Sequence, residues 1–233
     1  MSRTLIFCTC YSDSAQTWTM RYRLWLNAIL GNGIAHDHVL IVDDASPVPP
    51  DWSDTRITGD PNAGLSEGPV TLFRFDQRLG RQAGNIYPGW SRSFCFAARF
   101  ARAHGFDKVI HIESDAFIVS AAMERYFNEA SDGWIAQWYG LHHMPESAIQ
   151  IMAGNGLRDY FAFADAPYSE SIGIEAEHFM PFTHVEKSFI GSRYGETEDD
   201  VPRDADFVAQ SRPAVLGGRA YFWWLRPDLI PFP

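Results

Sequence analysis

The sequence predicts an α/β protein built on a mostly parallel sheet with flanking helices. Three observations carry that class. Short apolar, β-prone runs recur through the first 139 residues, most of them separated by segments of helical period. The helical segments begin at capping residues or end at glycines. Three of the apolar runs close in polar clusters, CTCYSD, DDAS and ESD. An open parallel sheet places such clusters together, along the edge where its ligands bind.

Taken in order, TLIFCTC (Thr4 to Cys10) reads as a buried strand closed by YSDS. Asp13 or Ser14 caps the next helix, where Trp18, Tyr22, Trp25, Leu26 and Ile29 form one apolar stripe before Gly31 and Gly33 stop it. Val39 to Val42 forms a second buried strand ending in two aspartates, and VTLFRF (Val70 to Phe75) a third. Between them, Ala45 to Gly68 is rich in proline and glycine, which predicts a functional loop or a short strand near TRIT. A helix is expected from Ser91 to His104, with Phe94, Ala97, Ala98 and Ala101 on one face and Gly105 as its stop. KVIHI is the fourth strand. Ser120 caps a helix bearing Met123, Tyr126, Phe127 and Ala130, and Gly133 to Tyr139 is the fifth strand.

Beyond Tyr139 the pattern weakens. GLRDYFAFADA reads as helical and HFMPFTHV as extended. GETEDDVPRDAD has little apolar material to bury and reads as loosely held. The chain ends in the aromatic run AYFWWLRPDLIPFP.

Composition narrows the function. The 233 residues are 46% hydrophobic and 21% charged, with no linker-like break, so one domain spans 1–233. A formal charge of −10, from 29 acids against 19 bases, argues against a nucleic-acid partner. Three cysteines are too few for a disulfide framework, and Cys8 and Cys10 read as buried thiols in a cytoplasmic protein. No apolar run approaches a membrane-spanning length, which leaves peripheral membrane contact compatible with the sequence.

The clearest chemical signal is HIESDAFI, where Glu113 and Asp115 follow a buried strand at i and i+2. Two carboxylates across a turn can address one hard cation, Mg²⁺ or Mn²⁺, and leave positions for substrate phosphates. A cation there would neutralise a departing diphosphate. An isolated ExD is more often a solvated turn, but its place on an edge shared with DDAS favours a site.

With LIFCTCYSD, HVLIVDDASP and VIHIESDAFI in that order, the chain resembles GT-A fold glycosyltransferases, with the DxD-type motif present as ExD. The likeness runs from Thr4 to about Tyr139. It implies a nucleotide-sugar-binding half, 1–139, and an acceptor or closing half, 140–233. It further implies sugar transfer from a nucleotide-diphosphate sugar to a glycan or small acceptor, in surface polysaccharide or glycoconjugate synthesis. Thr9 and Tyr11 would flank the base, Asp44 would hydrogen-bond to it, and Glu113 would face the ribose or a metal-bound water. Asp115 would ligate the metal directly, with His184 completing the shell and His178 as its competitor.

Arg81, in a glycine-rich loop that also carries Arg78, and Lys187, beside His184, suit a diphosphate or sugar; Arg92 follows in the helix and Arg193 beyond Lys187. Glu175 and Glu177, with Glu170 nearby, are candidates for the general base an inverting enzyme needs. His142, His143 and Tyr139 are candidates for sugar contact, whereas Trp134 and Trp138 read as core. The segment from His184 to about residue 200 is expected to close over the donor. The main alternative is a non-catalytic nucleotide- or sugar-binding protein on the same fold. A nucleotidyltransferase is disfavoured because its glycine-rich signature is absent.

Overall fold

A computed structural model describes residues 2–65, 68–82, 86–166, 176–193 and 204–210. Thr4–Cys10 forms β1, buried at every position. Ser14 caps the next segment, its Oγ accepting from the Thr17 N–H at 3.2 Å. That segment is not one regular helix. A short α1 (Ala15–Thr17) runs into a π-helical stretch, Trp18–Arg23, and then into α2 (Leu24–Gly31). The predicted stripe of Trp18, Tyr22, Trp25, Leu26 and Ile29 is buried throughout. Each large apolar side chain so buried contributes about 1.5–3 kcal/mol.

β2 (His38–Asp43), β3 (Arg56–Thr58) and β4 (Val70–Arg74) follow, β3 being the short strand suspected near TRIT. α3 (Pro88–Ala103) starts at Pro88 rather than Ser91, because proline at the first helical turn gives up an N–H that has no intrahelical partner anyway. Gly105, at φ 67°, ends it, and the Phe106 N–H bonds back to the Ala101 carbonyl at 3.0 Å. β5 (Lys108–Ile112), β6 (Phe117–Ile118), α4 (Ala121–Glu129) and β7 (Gly133–Tyr139) come next. Ser120 caps α4 as expected, accepting from the Met123 N–H at 3.1 Å.

One long element has no counterpart in the sequence reading. Met144–Ala153 forms β8, ten residues that return through the sheet. α5 (Gly154–Asp165) matches the helical reading of its segment. α6 (Ala176–Phe179), β9 (His184–Glu186), β10 (Gly191–Ser192) and β11 (Phe207–Val208) complete the described chain. Glu170, Glu175, most of the acidic stretch and the aromatic terminal run lie outside the described residues.

The main sheet has eight strands in the order β3-β4-β2-β1-β5-β8-β7-β9. β8 alone runs against its neighbours, and every other pairing is parallel. β1 is central, with Cys10 beside Asp43 of β2 and Phe7 beside His111 of β5. The carboxyl ends of all three therefore share one edge. One face of the sheet packs on α2 and α4 through Trp25, Leu26, Met123 and Phe127. The other packs on α3 and α5 through Phe94, Ala97, Tyr160 and Ala164. A smaller sheet, β10-β11-β6, sits beside the main one. Among the described residues, no helix is long and apolar enough to cross a membrane.

Candidate active site

A cavity of about 690 Å³ opens where β1, β2 and β5 end. Thr9, Tyr11, Asp44, Arg81, Glu113, Asp115 and Glu177, all named from sequence, line it. Its size is that of a small-molecule site. The parallel register accounts for the convergence, since each polar cluster begins where its strand leaves the core.

Glu113 has three side-chain partners. Its Oε1 accepts from Thr9 Oγ1 at 2.8 Å and from Trp90 Nε1 at 2.6 Å, and meets His111 Nε2 at 2.9 Å. Thr9 Oγ1 also lies 3.0 Å from Oε2. Burial pushes the carboxyl up, but facing His111 and these donors outweigh it and hold Glu113 below the usual carboxylate range. Asp115 accepts from Arg21 Nη2 at 3.0 Å, and Arg21 Nε donates to the buried Ser114 Oγ at 2.8 Å.

Asp44 lines the cavity yet is only 4% exposed. Its oxygens accept from the N–H groups of Leu79 at 3.2 Å and Gly80 at 2.7 Å, and from the Arg92 guanidinium. It braces the loop below Arg81 rather than extending into open space. Arg78 stacks its guanidinium on the Tyr11 ring at 3.7 Å, and Arg81 lies 4.7 Å from the Tyr87 ring centroid. Such a stack is also a platform for a flat base.

The opposite wall comes from β8 and α6. Glu177 Oε1 accepts from Ser147 Oγ at 2.6 Å. Next to it, Glu146 is fully buried against Arg193, whose Nε donates to Oε2 at 2.9 Å. Burial pushes the Glu146 carboxyl up to about 7, with Arg193 and the Ala148 N–H opposing the rise.

His184 and Lys187 are placed elsewhere. His184 opens β9 at the sheet edge, paired with Ile135, and its side chain is 55% exposed. Three strand steps separate β9 from β5, roughly 14 Å. Lys187 follows β9 and rests its Nζ 4.4 Å from the Trp138 ring centroid. Neither lines the cavity, nor do His142, His143 and His178, which are exposed. Tyr139 also differs from expectation, being 1% exposed beneath the Arg193 guanidinium, while Trp138 is half-buried. Sheet pairing is irregular between Ala136 and Gln137, so strict alternation does not carry to the strand end.

The resemblance raised a divalent cation on Glu113, Asp115 and His184, and the residues present do not fit that role in this arrangement. Glu113 is already satisfied by Thr9, Trp90 and His111, and Asp115 is in an ion pair with a guanidinium. Among the described residues, no group of three or more His, Cys, Asp or Glu side chains could hold a metal ion.

Sequence reasoning missed Arg21, Trp90 and Ser147. Arg21 lies outside the apolar stripe of its helix, in the π-helical stretch, and lines the cavity. Trp90 follows Pro88 at a helix start, a position from which a side chain can face a strand end.

No family model and no curated protein matches the chain. Among solved structures, it is similar to a glycosyltransferase involved in the glycosylation of the major capsid of PBCV-1. The identity is 9% and the TM-score 0.48, with 91% of this chain and 95% of that one covered.

Proposed function

We propose that the chain is a glycosyltransferase that takes a nucleotide-diphosphate sugar as donor. The observation that carries this reading is the meeting of Thr9, Tyr11, Glu113 and Asp115 with Arg21, Arg78 and Arg81 around one cavity at the carboxyl ends of parallel strands. The Tyr11–Arg78 stack suits a base, and the arginines suit a diphosphate. Glu177, on the wall facing them, suits an acceptor hydroxyl.

In a direct displacement, the acceptor oxygen attacks the anomeric carbon of the donor. The carbon–oxygen bond to the diphosphate breaks, and its electron pair leaves on the phosphate oxygen. The hydroxyl proton passes to Glu177, which Ser147 Oγ holds in place. Guanidinium groups around the diphosphate offset the charge that builds on the leaving group.

The test is turnover of UDP-, GDP- and dTDP-sugars, followed as release of the free nucleoside diphosphate, with wild type and Glu177→Gln. One donor should be turned over, and the variant should lose about 100-fold or more in rate while still binding it. Donor binding without release in wild type would mark the non-catalytic alternative. Unchanged release by the variant would remove Glu177 as base.

A further inference from the structure

The turn where a metal was expected already holds a cation of the protein's own. Arg21 reaches it from the π-helical stretch and is fixed twice, by Nε to Ser114 Oγ at 2.8 Å and by Nη2 to Asp115 Oδ2 at 3.0 Å. Its neighbour Tyr22 fixes the helix to the end of β1. The Tyr22 hydroxyl donates to the Tyr11 carbonyl at 2.8 Å and accepts from the Tyr11 N–H at 3.0 Å. Arg21 is thus held from both sides and lines the cavity. A divalent cation on Asp115 would have to displace this guanidinium or stand against its charge.

The remaining carboxylates at the strand ends are bonded inward in the same way. Glu113 takes Thr9, Trp90 and His111, and Asp44 takes two backbone N–H groups and Arg92. Asp43, just behind, takes Arg74 Nε at 2.9 Å. Arg21, Arg78 and Arg81 line the same cavity as Asp44, Glu113 and Asp115. Arg78 is exposed, with its guanidinium carbon over the Tyr11 ring, 3.7 Å from the centroid. In-plane donors on a planar fork match phosphate oxygens in pairs.

We infer that Arg21, seated on the ExD turn, neutralises the donor diphosphate together with Arg78, so that donor binding requires no divalent cation. This rests on the proposed donor reading. The ExD motif then acts as a clamp for an arginine: Ser114 and Asp115 orient Arg21, and Glu113 ties the turn to β1 and α3.

The experiment is calorimetric titration of the whole chain with UDP, GDP, dTDP and inorganic pyrophosphate, in EDTA and again in Mn²⁺. At least one nucleoside diphosphate should bind in EDTA, with affinity changed by less than about threefold in Mn²⁺. Arg21→Gln should weaken that binding about 10- to 100-fold in EDTA, the loss of one charge-assisted pair. Arg78→Gln should weaken it too, and because Arg78 is exposed this variant reports even if the Arg21 variant does not fold. Binding that appears only with Mn²⁺ would overturn the inference and leave the donor reading standing. Wild-type affinity in both folded variants would overturn it as well. No binding of any diphosphate under either condition would overturn both.

Discussion

Gly89→Ala is the sharpest test of how the Asp44 turn is packed. A methyl group at this position would lie 2.2 Å from Asp44 Oδ2, 2.7 Å from its Cγ and 2.9 Å from the Gly80 nitrogen. None of these atoms can swing aside cheaply. Gly80 is backbone, its carbonyl accepting from the Gly89 N–H at 3.0 Å, and Asp44 is pinned by Leu79, Gly80 and Arg92. Overpacking a closed site costs about 1–3 kcal/mol. Pulling a charged acceptor from its donors adds about 1.5–3 kcal/mol. The gain in helix propensity from glycine to alanine is at most about 1 kcal/mol and does not offset this. The net loss is roughly 2–5 kcal/mol. For a chain of this size that lowers Tm by roughly 5–20 °C. Thermal unfolding by circular dichroism measures it, with Gly64→Ala as control, since nothing lies within 4 Å of a methyl there. The control should stay within about 1 kcal/mol of wild type. In an Asp44→Ala background the main clash disappears, so the two substitutions should couple by at least about 1 kcal/mol. A Tm within about 2 °C of wild type, or no coupling, would refute the packing argument.

Three further outcomes follow from individual groups. His38 is 3% exposed with Nε2 3.0 Å from Thr71 Oγ1, and burial, with His104 and Arg3 adding like charge, pushes its imidazole down to about 4. Its contribution is complete above about pH 6.5 and is lost as pH falls towards 4, about 3 kcal/mol in full. Urea titrations of His38→Gln should show a flatter pH profile across that window, and an unchanged slope would sink the assignment. Glu113, held low, contributes stability above the ordinary carboxylate range that is lost as pH falls through its depressed value. Glu113→Gln should therefore reduce the loss of stability in acid, and an identical acid limb would show that its donors do not matter. Ser120→Ala removes the α4 cap and should cost about 1 kcal/mol, with faster amide exchange at Met123; unchanged exchange there would count against the cap.

Most strands and helices up to Tyr139 were legible because their residues obey the two periods by which burial is recognised, whereas the two-residue β6 and the π-helical stretch were not. β8 was not, and the reason is chemical. Its interior carries Glu146 and Gln150, fully buried yet polar, because they answer Arg193, Trp134 and His111 across the sheet. A strand that supplies hydrogen-bond partners to the core loses the apolar signature of a strand. The cavity residues at strand ends were legible for another reason, since parallel strands bring the polar ends of β1, β2 and β5 to one edge. Arg21 was hidden by a helix that departs from its regular period. His184 and Lys187 were misplaced because chain proximity to other cations says nothing about which strand edge a segment joins.

The reversed strand also divides the cavity by stiffness. Loop residues 77–81 and the start of α3 make one wall, and loops can lengthen or change shape with little cost to the sheet. Ser147, which holds Glu177, sits where β8 pairing is interrupted, between Glu146, paired to Gln137 of β7, and Ile149, paired to Ile112 of β5, so the strand on either side of it cannot shift without breaking a register. Substitutions that broaden which molecule is accepted should therefore accumulate on the loop wall. The wall holding Glu177 should tolerate change only in the side chains themselves. An engineer seeking new specificity would vary exposed side chains of the first wall, such as Leu79, keep the Asp44–Gly80–Gly89 contact, Arg78 and Arg81, and leave the second wall alone.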